Sequence, residues 1–273
     1  MNAAAANAGS GRIRAGIGGW NYEPWRGSFY PEGTPQTREL EYASRQVTAI
    51  EINGTFYRLQ KPAVYAKWRD ETPDDFVFSL KAPRYLVQRK QLAVIGPFLD
   101  RFIASGLSEL RHKLGPILWQ LDPWHPFDAA DLAAFLKLLP PSAGKFPLRH
   151  ALEVRHKSFM TEEFVALARE YGVAIVCVDD AKHPACADLT ADFAYVRLRQ
   201  CAANIETGYT AAALETWAAH TQRWAQGKIV TDLPLIAPKS KPAAMPRDVF
   251  VYFINGAKER APTAAQALIA LLS

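Results

Sequence analysis

The feature that most constrains this chain is an alternation, from end to end, of short β-rich runs with stretches of helical periodicity. The β-rich runs are residues 13–18, 47–52, 76–80, 117–121, 151–154, 174–178, 193–198 and 249–254, eight in all. Strands that alternate with helices pair in parallel, because each crossover has to pass over a face of the sheet. The intervening segments carry helix marks. Thr161 caps a helix whose first turn holds Glu162 and Glu163, whose apolar face is Phe164, Leu167, Ala168 and Tyr171, and which Gly172 stops. Asp128 opens another, with Leu132, Phe135, Leu136 and Leu139 on one face and Pro140-Pro141 at its end. Leu214, Trp217, Thr221 and Trp224 form a stripe at helical spacing, which reads as core.

Eight such units can close into a barrel or lie open as a doubly wound sheet. The open form loses its best support at Gly16-Ile17-Gly18-Gly19-Trp20-Asn21, where a dinucleotide fingerprint needs glycine in place of Asn21. The barrel gains support from where polar residues fall. In a barrel every strand's C-terminal end faces one shared pocket. Here the strand ends carry Glu51 and Asn53, Lys81, Gln120, Glu153 with Arg155 and His156, Asp179-Asp180, Arg197 with Arg199, and Asn255. The expected fold is therefore α/β, a TIM-type (β/α)8 barrel of parallel strands alternating with helices. It occupies residues 13–273 as a single domain after a flexible tail at 1–12.

Composition narrows the function classes. Among 273 residues, 49% are apolar and 22% charged, enough for a sizeable core, and no apolar run approaches the ~20 residues that span a bilayer. The first residues are rich in Ala, Asn and Gly and lack the basic and apolar regions of a signal peptide. Three cysteines without Cys-x-x-Cys spacing fit a reducing cytoplasm better than a disulfide framework or a zinc site. The net charge of +5 tilts the partner toward an anion, and no Lys/Arg run marks a dedicated nucleic-acid tract. Two segments are irregular: an aromatic loop over 20–36, and a Pro/Lys-rich excursion over 231–247.

The chain resembles the YecE-like family, a bacterial family catalogued as a domain of unknown function (number 72). The motifs are Gly18-Gly19-Trp20-Asn21-Tyr22 with Trp25-Arg26-Gly27, Phe29-Tyr30-Pro31-Glu32-Gly33, Glu51-Ile52-Asn53 with Phe56-Tyr57-Arg58, Lys81-Ala82-Pro83-Arg84-Tyr85, Gln120-Leu121, Glu153-Val154-Arg155-His156 and Tyr195-Val196-Arg197-Leu198. The resemblance spans nearly the whole chain and implies the barrel and its pocket, and no reaction. The chain departs from the family at Arg199-Gln200, where relatives often read His-Gly, at Ile254-Asn255 in place of Asn-Asn, and at Gln88 in place of a histidine.

From the residues themselves, the leading reading is an enzyme handling a small phosphorylated or carboxylated molecule. Arg155, Arg197 and Arg199 suit forked contacts to such a group. Glu51 and Glu153 are acid/base candidates, with Asp179 a further catalytic carboxylate. Lys81 either stabilises developing negative charge, acts as an amine nucleophile, or forms a salt bridge with Glu51. Asn53, Gln120, His156 and Asn255 would complete the binding surface. Trp20, Tyr22, Phe56 and Tyr57 would wall it and stack on a ring, or pack within their own loops. Glu51, Glu153, His156 and Asp179 offer hard metal ligands, but no histidine cluster requires a metal, so the cofactor is left open. The alternative is a nucleic-acid-binding or -processing barrel using Arg58, Arg84, Arg89 and Lys90 beside Phe56, Tyr57 and Tyr85. Oligomeric state is not read from the sequence.

Overall fold

The eight β-rich runs close on one another. The computed structural model describes residues 10–240 and 242–273. Its barrel strands are β1 (Ile13–Gly18), β2 (Ala49–Ile52), β3 (Val77–Lys81), β4 (Leu114–Gln120), β5 (His150–Glu153), β6 (Ala174–Asp179), β7 (Phe193–Leu198) and β8 (Asp248–Phe253). Each pairs in parallel with its neighbours in the order β1-β8-β7-β6-β5-β4-β3-β2, and β1 bonds both β8 and β2, so no edge is left unpaired. This is the TIM-type barrel the alternation implied.

The glycines of the first strand serve strand packing. A Cβ on Gly16 would lie 1.7 Å from the carbonyl oxygen of Ala49 on β2, so only glycine fits that approach. Strand β4 begins earlier than expected, before Pro116, a residue without a ladder donor. The β3–β4 register shifts between Phe78 and Leu80, where their partners step from Leu114 to Ile117, and this irregularity absorbs the proline.

Alternation along the strands sorts side chains into two cores. One apolar set, including Ala49, Val77, Leu118, Ala151, Val176, Val178, Phe193 and Phe250, fills the barrel interior. The other, including Ile50, Ile52, Phe78, Trp119, Leu152, Ile175 and Cys177, lies between strands and helices. The capping expectations are met: Thr161 Oγ1 accepts from the Phe164 N–H at 3.2 Å, and Asp128 Oδ1 from the Asp131 N–H at 3.0 Å. The Leu214, Trp217, Thr221 and Trp224 stripe of the helix Ala211–Ala225 is buried. A short antiparallel ladder of Ser142–Ala143 with Phe146–Pro147, turning through Gly144 at φ +60°, was not expected from the sequence.

Both irregular segments are tied down. In the 20–36 loop, Trp25 and Tyr30 are fully buried, and the Trp25 indole donates to Lys258 O at 3.0 Å. The 231–247 excursion is anchored along the flank, where Asp188 accepts from the Ile236 and Ala237 N–H groups. At its end Arg247 donates to Ala191 O, Met245 O and Ala243 O. Of the N-terminal tail, residues 1–9 lie outside the described residues; Gly11 N–H donates to Ala225 O and Arg12 N–H to Asp248 Oδ1. Among the described residues no helix is long and apolar enough to cross a membrane.

Candidate functional site

Inward positions are apolar at the strand starts and become polar toward the C-terminal ends. On β7 the interior series runs Phe193, Tyr195, Arg197; on β2 it runs Ala49, Glu51; on β5, Ala151, Glu153. This brings Glu51, Glu153 and Arg197 together, all almost completely buried. Arg197 Nη2 donates to Glu51 Oε1 at 3.0 Å, and its Nη1 donates to Glu153 Oε2. Each carboxylate has further donors. The Tyr195 hydroxyl donates to Glu51 Oε2 at 2.7 Å, and Gln120 Nε2 and Arg155 Nε each donate to Glu153 Oε1 at 2.8 Å. Arg199 reaches Glu153 at 3.7 Å and Asp180 at 3.1 Å. With its amide turned to satisfy both ends, Asn255 accepts from Arg199 Nη2 at 2.8 Å.

Burial would by itself raise the Glu153 pKa, but the opposing pull of Arg197 and Arg155 and the hydrogen bond from Gln120 outweigh it, holding the carboxyl down at about 2. Burial likewise disfavours the charged form of Arg197, and its two carboxylate partners more than reverse that. Glu153 and Arg197 thereby hold each other in their charged forms.

Above it opens a cavity of about 730 Å³ at the C-terminal end of the barrel. Its cationic lining is Arg58, Lys81, Arg155, Arg197, Arg199 and Lys258, and no carboxylate side chain lines it among the described residues. Trp20, Asn53, Tyr57, Gln120 and Asn255 line it too, as the sequence suggested. Trp20 is held edge-on against Trp68, with centroids 5.2 Å apart, and Tyr57 stands 69% exposed at the mouth. The salt bridge weighed between Lys81 and Glu51 is not formed. Lys81 Nζ sits 4.0 Å over the Phe56 ring centroid and has no ion-pair or hydrogen-bond partner among the described residues, while Glu51 is taken by Arg197 and Tyr195. Desolvation, reinforced by nearby Arg197, lowers the Lys81 pKa to about 8.

Four expected site residues are placed otherwise. Asp179 shares the outward parity of Ile175 and Cys177, and accepts from the Tyr209 hydroxyl at 2.9 Å and from Gln200 Nε2; its neighbour Asp180 joins the arginine network instead. His156 caps the turn at Lys157–Phe159, its Nδ1 accepting from the Ser158 N–H. Tyr22 packs edge-on against Trp25 under the ammonium of Lys258. Phe56 supports Lys81 from behind and does not line the cavity. With His156 and Asp179 turned away, the hard-ligand set Glu51, Glu153, His156 and Asp179 does not assemble. No other group of three or more His, Cys, Asp and Glu side chains is placed to hold a metal among the described residues.

The side chains of Asn21, Gln60, Trp68 and Lys258 are among the lining residues that escaped the site expected from the sequence. Trp68 lies on the helix Pro62–Asp70, where an aromatic at helical spacing reads as core. Lys258 follows the last strand by several residues, and only the short helical turn Lys258–Arg260 returns it to the mouth. Of the basic set considered for nucleic acid, Arg58 lines the cavity, whereas Arg89 lies over the Phe98 ring and donates to Tyr85 O.

A closed parallel barrel with a cationic strand-end cavity over a buried Arg–Glu network defines this chain as a TIM-type barrel protein. It belongs to the family described as "Protein of unknown function DUF72", which it matches over residues 14–273. It is 31% identical over 123 residues to the UPF0759 protein YecE of Escherichia coli (strain K12), covering 45% of this chain and 43% of that protein. It is 29% identical over 160 residues to the UPF0759 protein YunF of Bacillus subtilis (strain 168), covering 56% and 54%. The chain thus matches about half the length of these curated relatives. The fold is shared with DUF72 family proteins of Thermotoga maritima (TM-score 0.71, 22% identity, 96% and 99% coverage) and Enterococcus faecalis (TM-score 0.69, 16% identity, 95% of each chain).

Proposed function

We propose that this chain is a cytoplasmic enzyme acting by proton transfer on a small molecule that carries a phosphate or carboxylate. The observation that carries the reading is the separation of charge by depth: every charged side chain lining the cavity is a cation, and the compensating carboxylates lie below them. An anion entering this space meets Arg155, Arg197 and Arg199, already positioned by Glu51, Glu153 and Asp180, so binding requires no rearrangement of the floor.

Arg155, Arg199 and Arg58 act as the clamp. Glu51 and Glu153, both buried and multiply bonded, hold Arg197 and Arg155 in position, which shifts the acid/base role to Lys81. Its pKa of about 8 lies close enough to neutrality to give and take a proton. Trp20 and Tyr57 offer ring faces to the rest of the substrate.

A second reading is favoured by one feature. Exposed Tyr57 next to Arg58 at the mouth would suit a base stacked beside a phosphate, as in single-strand binding. A thermal-shift panel of sugar phosphates, small carboxylates, nucleotides and a short single-stranded DNA, each at two salt concentrations, separates the two. The enzyme reading expects a small anion to raise the melting midpoint of the wild type and not of an Arg155→Ala/Arg199→Ala variant. A response to DNA alone, fading with salt, would replace it with the nucleic-acid reading.

A further inference from the structure

We infer that Lys81 is a Schiff-base-forming nucleophile, and that the cavity takes an aldehyde or ketone bearing a phosphate or carboxylate. This rests on the reading of the cavity as an anion site, names the substrate class of that site, and gives the Lys81 amine a covalent role in place of simple proton transfer.

The barrel holds four arginines at the cavity, and arginine meets every requirement of anion binding without losing its proton. Lys81 differs from them in its surroundings. It is the last residue of β3, with the inward parity of Val77 and Ser79, so it is borne on the rigid strand. Its amine projects into the cavity with no carboxylate to hold it. The two nearest candidates are engaged elsewhere: Glu51 by Arg197 and Tyr195, and Glu153 by Arg197, Arg155 and Gln120. The face of Phe56 at 4.0 Å closes one side. A half-buried ammonium without an ion-pair partner loses hydration that nothing replaces, and desolvation beside other cations is how an amine is kept neutral enough to attack a carbonyl. Arg197 and Arg155 supply the cations that, with burial, loosen its proton.

In the proposed step the Lys81 nitrogen lone pair forms the N–C bond to the carbonyl carbon. The C=O π pair moves to oxygen, and one nitrogen proton follows it to give the carbinolamine. The C–O bond then breaks and the hydroxyl leaves as water with the second nitrogen proton. The product is an imine, which takes a proton from solvent to become the iminium. Nothing is oxidised or reduced. The phosphate or carboxylate of the substrate is held meanwhile by Arg155 and Arg199.

The test incubates the wild-type protein at pH 7.5 with glycolaldehyde phosphate, or with glyoxylate, in the presence of sodium cyanoborohydride, and maps the reduced adduct by peptide mass spectrometry. Expected is an adduct on Lys81 about tenfold or more above any other lysine, because far more of its amine is neutral at this pH. Inorganic phosphate should suppress it, uncharged glycolaldehyde should show a smaller preference that phosphate does not suppress, and Lys81→Arg should lose it. Lys258 is the internal rival, since it also lines the cavity with a lowered pKa. Preferential adduct on Lys258, or none on any lysine while inorganic phosphate still raises the melting midpoint, would overturn the role of Lys81 and leave the anion site standing. No adduct together with no phosphate response would overturn both.

Discussion

Arg197 Nη2 donates to Glu51 Oε1 at 3.0 Å across the barrel interior, and the same guanidinium holds Glu153 with its other terminal nitrogen. One fork from β7 therefore neutralises carboxylates from β2 and β5. Removing it would leave Glu51 buried without a cation and Glu153 with only Arg155 and Arg199. Arg197→Met is expected to destabilise the fold by about 3–5 kcal/mol, the range for breaking a buried pair from one side. Urea denaturation checks this, and Arg197→Lys should recover only part of the loss because an ammonium lacks the planar fork. A loss below about 1 kcal/mol, the range of exposed pairs, would show that the network is solvated.

Acid should loosen the same network in a defined window. The Glu153 pKa is depressed from 4.5 to about 2, so the folded state binds its proton less readily than the unfolded chain does. Its contribution is fully present above about 4.5 and fades as pH falls from there through 2, with a total on the order of 3 kcal/mol. Denaturation midpoints collected between pH 6 and pH 2 should decline more steeply for wild type than for Glu153→Gln. Equal slopes would mean that Glu153 titrates normally.

Lys81 should trade stability against function. Because its ammonium is desolvated and unpaired, Lys81→Met is expected to leave stability unchanged or raise it by about 1 kcal/mol. The same variant should bind phosphate-bearing ligands more weakly. In the wild type, the rate of adduct formation should climb as pH passes through about 8, since the neutral amine is the reactive form and its proton is lost there. Burial, Arg197 and Arg155 push that titration down, while Glu51 and Glu153 oppose them. A rate still rising in the same proportion near pH 10 would place Lys81 among ordinary lysines.

The two aspartates that end β6 should separate cleanly. Asp179→Asn weakens the acceptor for Tyr209 and Gln200 and is expected to cost about 1–2 kcal/mol of stability, with ligand binding unchanged. Asp180→Asn removes a partner of Arg199 and should alter ligand affinity with a smaller effect on folding. Calorimetric titration of both variants, beside their melting midpoints, distinguishes the roles; an affinity loss confined to Asp179→Asn would reverse them.

The sequence by itself determined the strand count, the parallel barrel and the end of the barrel where the charged side chains gather. Those properties follow from local chemistry. Strand and helix periods are written in neighbouring residues, and the polar strand ends Glu51, Lys81, Glu153 and Arg197 can only be accommodated where strands converge on a shared opening. Parity was legible on β2, where Ile50 and Ile52 flank Glu51. It was not legible on β6, because a parallel strand is buried on both faces and Ile175, Val176, Cys177 and Val178 are apolar on either reading. That is why Asp179 was expected to face inward, whereas Asp180 is the aspartate that pairs with Arg199. Only tertiary structure decided which charges pair. The partners of Arg197 come from strands separated by more than forty residues, and their distances depend on how the whole barrel closes. The same closure engages Glu51 and Glu153, takes them out of reach of the cavity, and leaves the amine of Lys81 without a counter-ion.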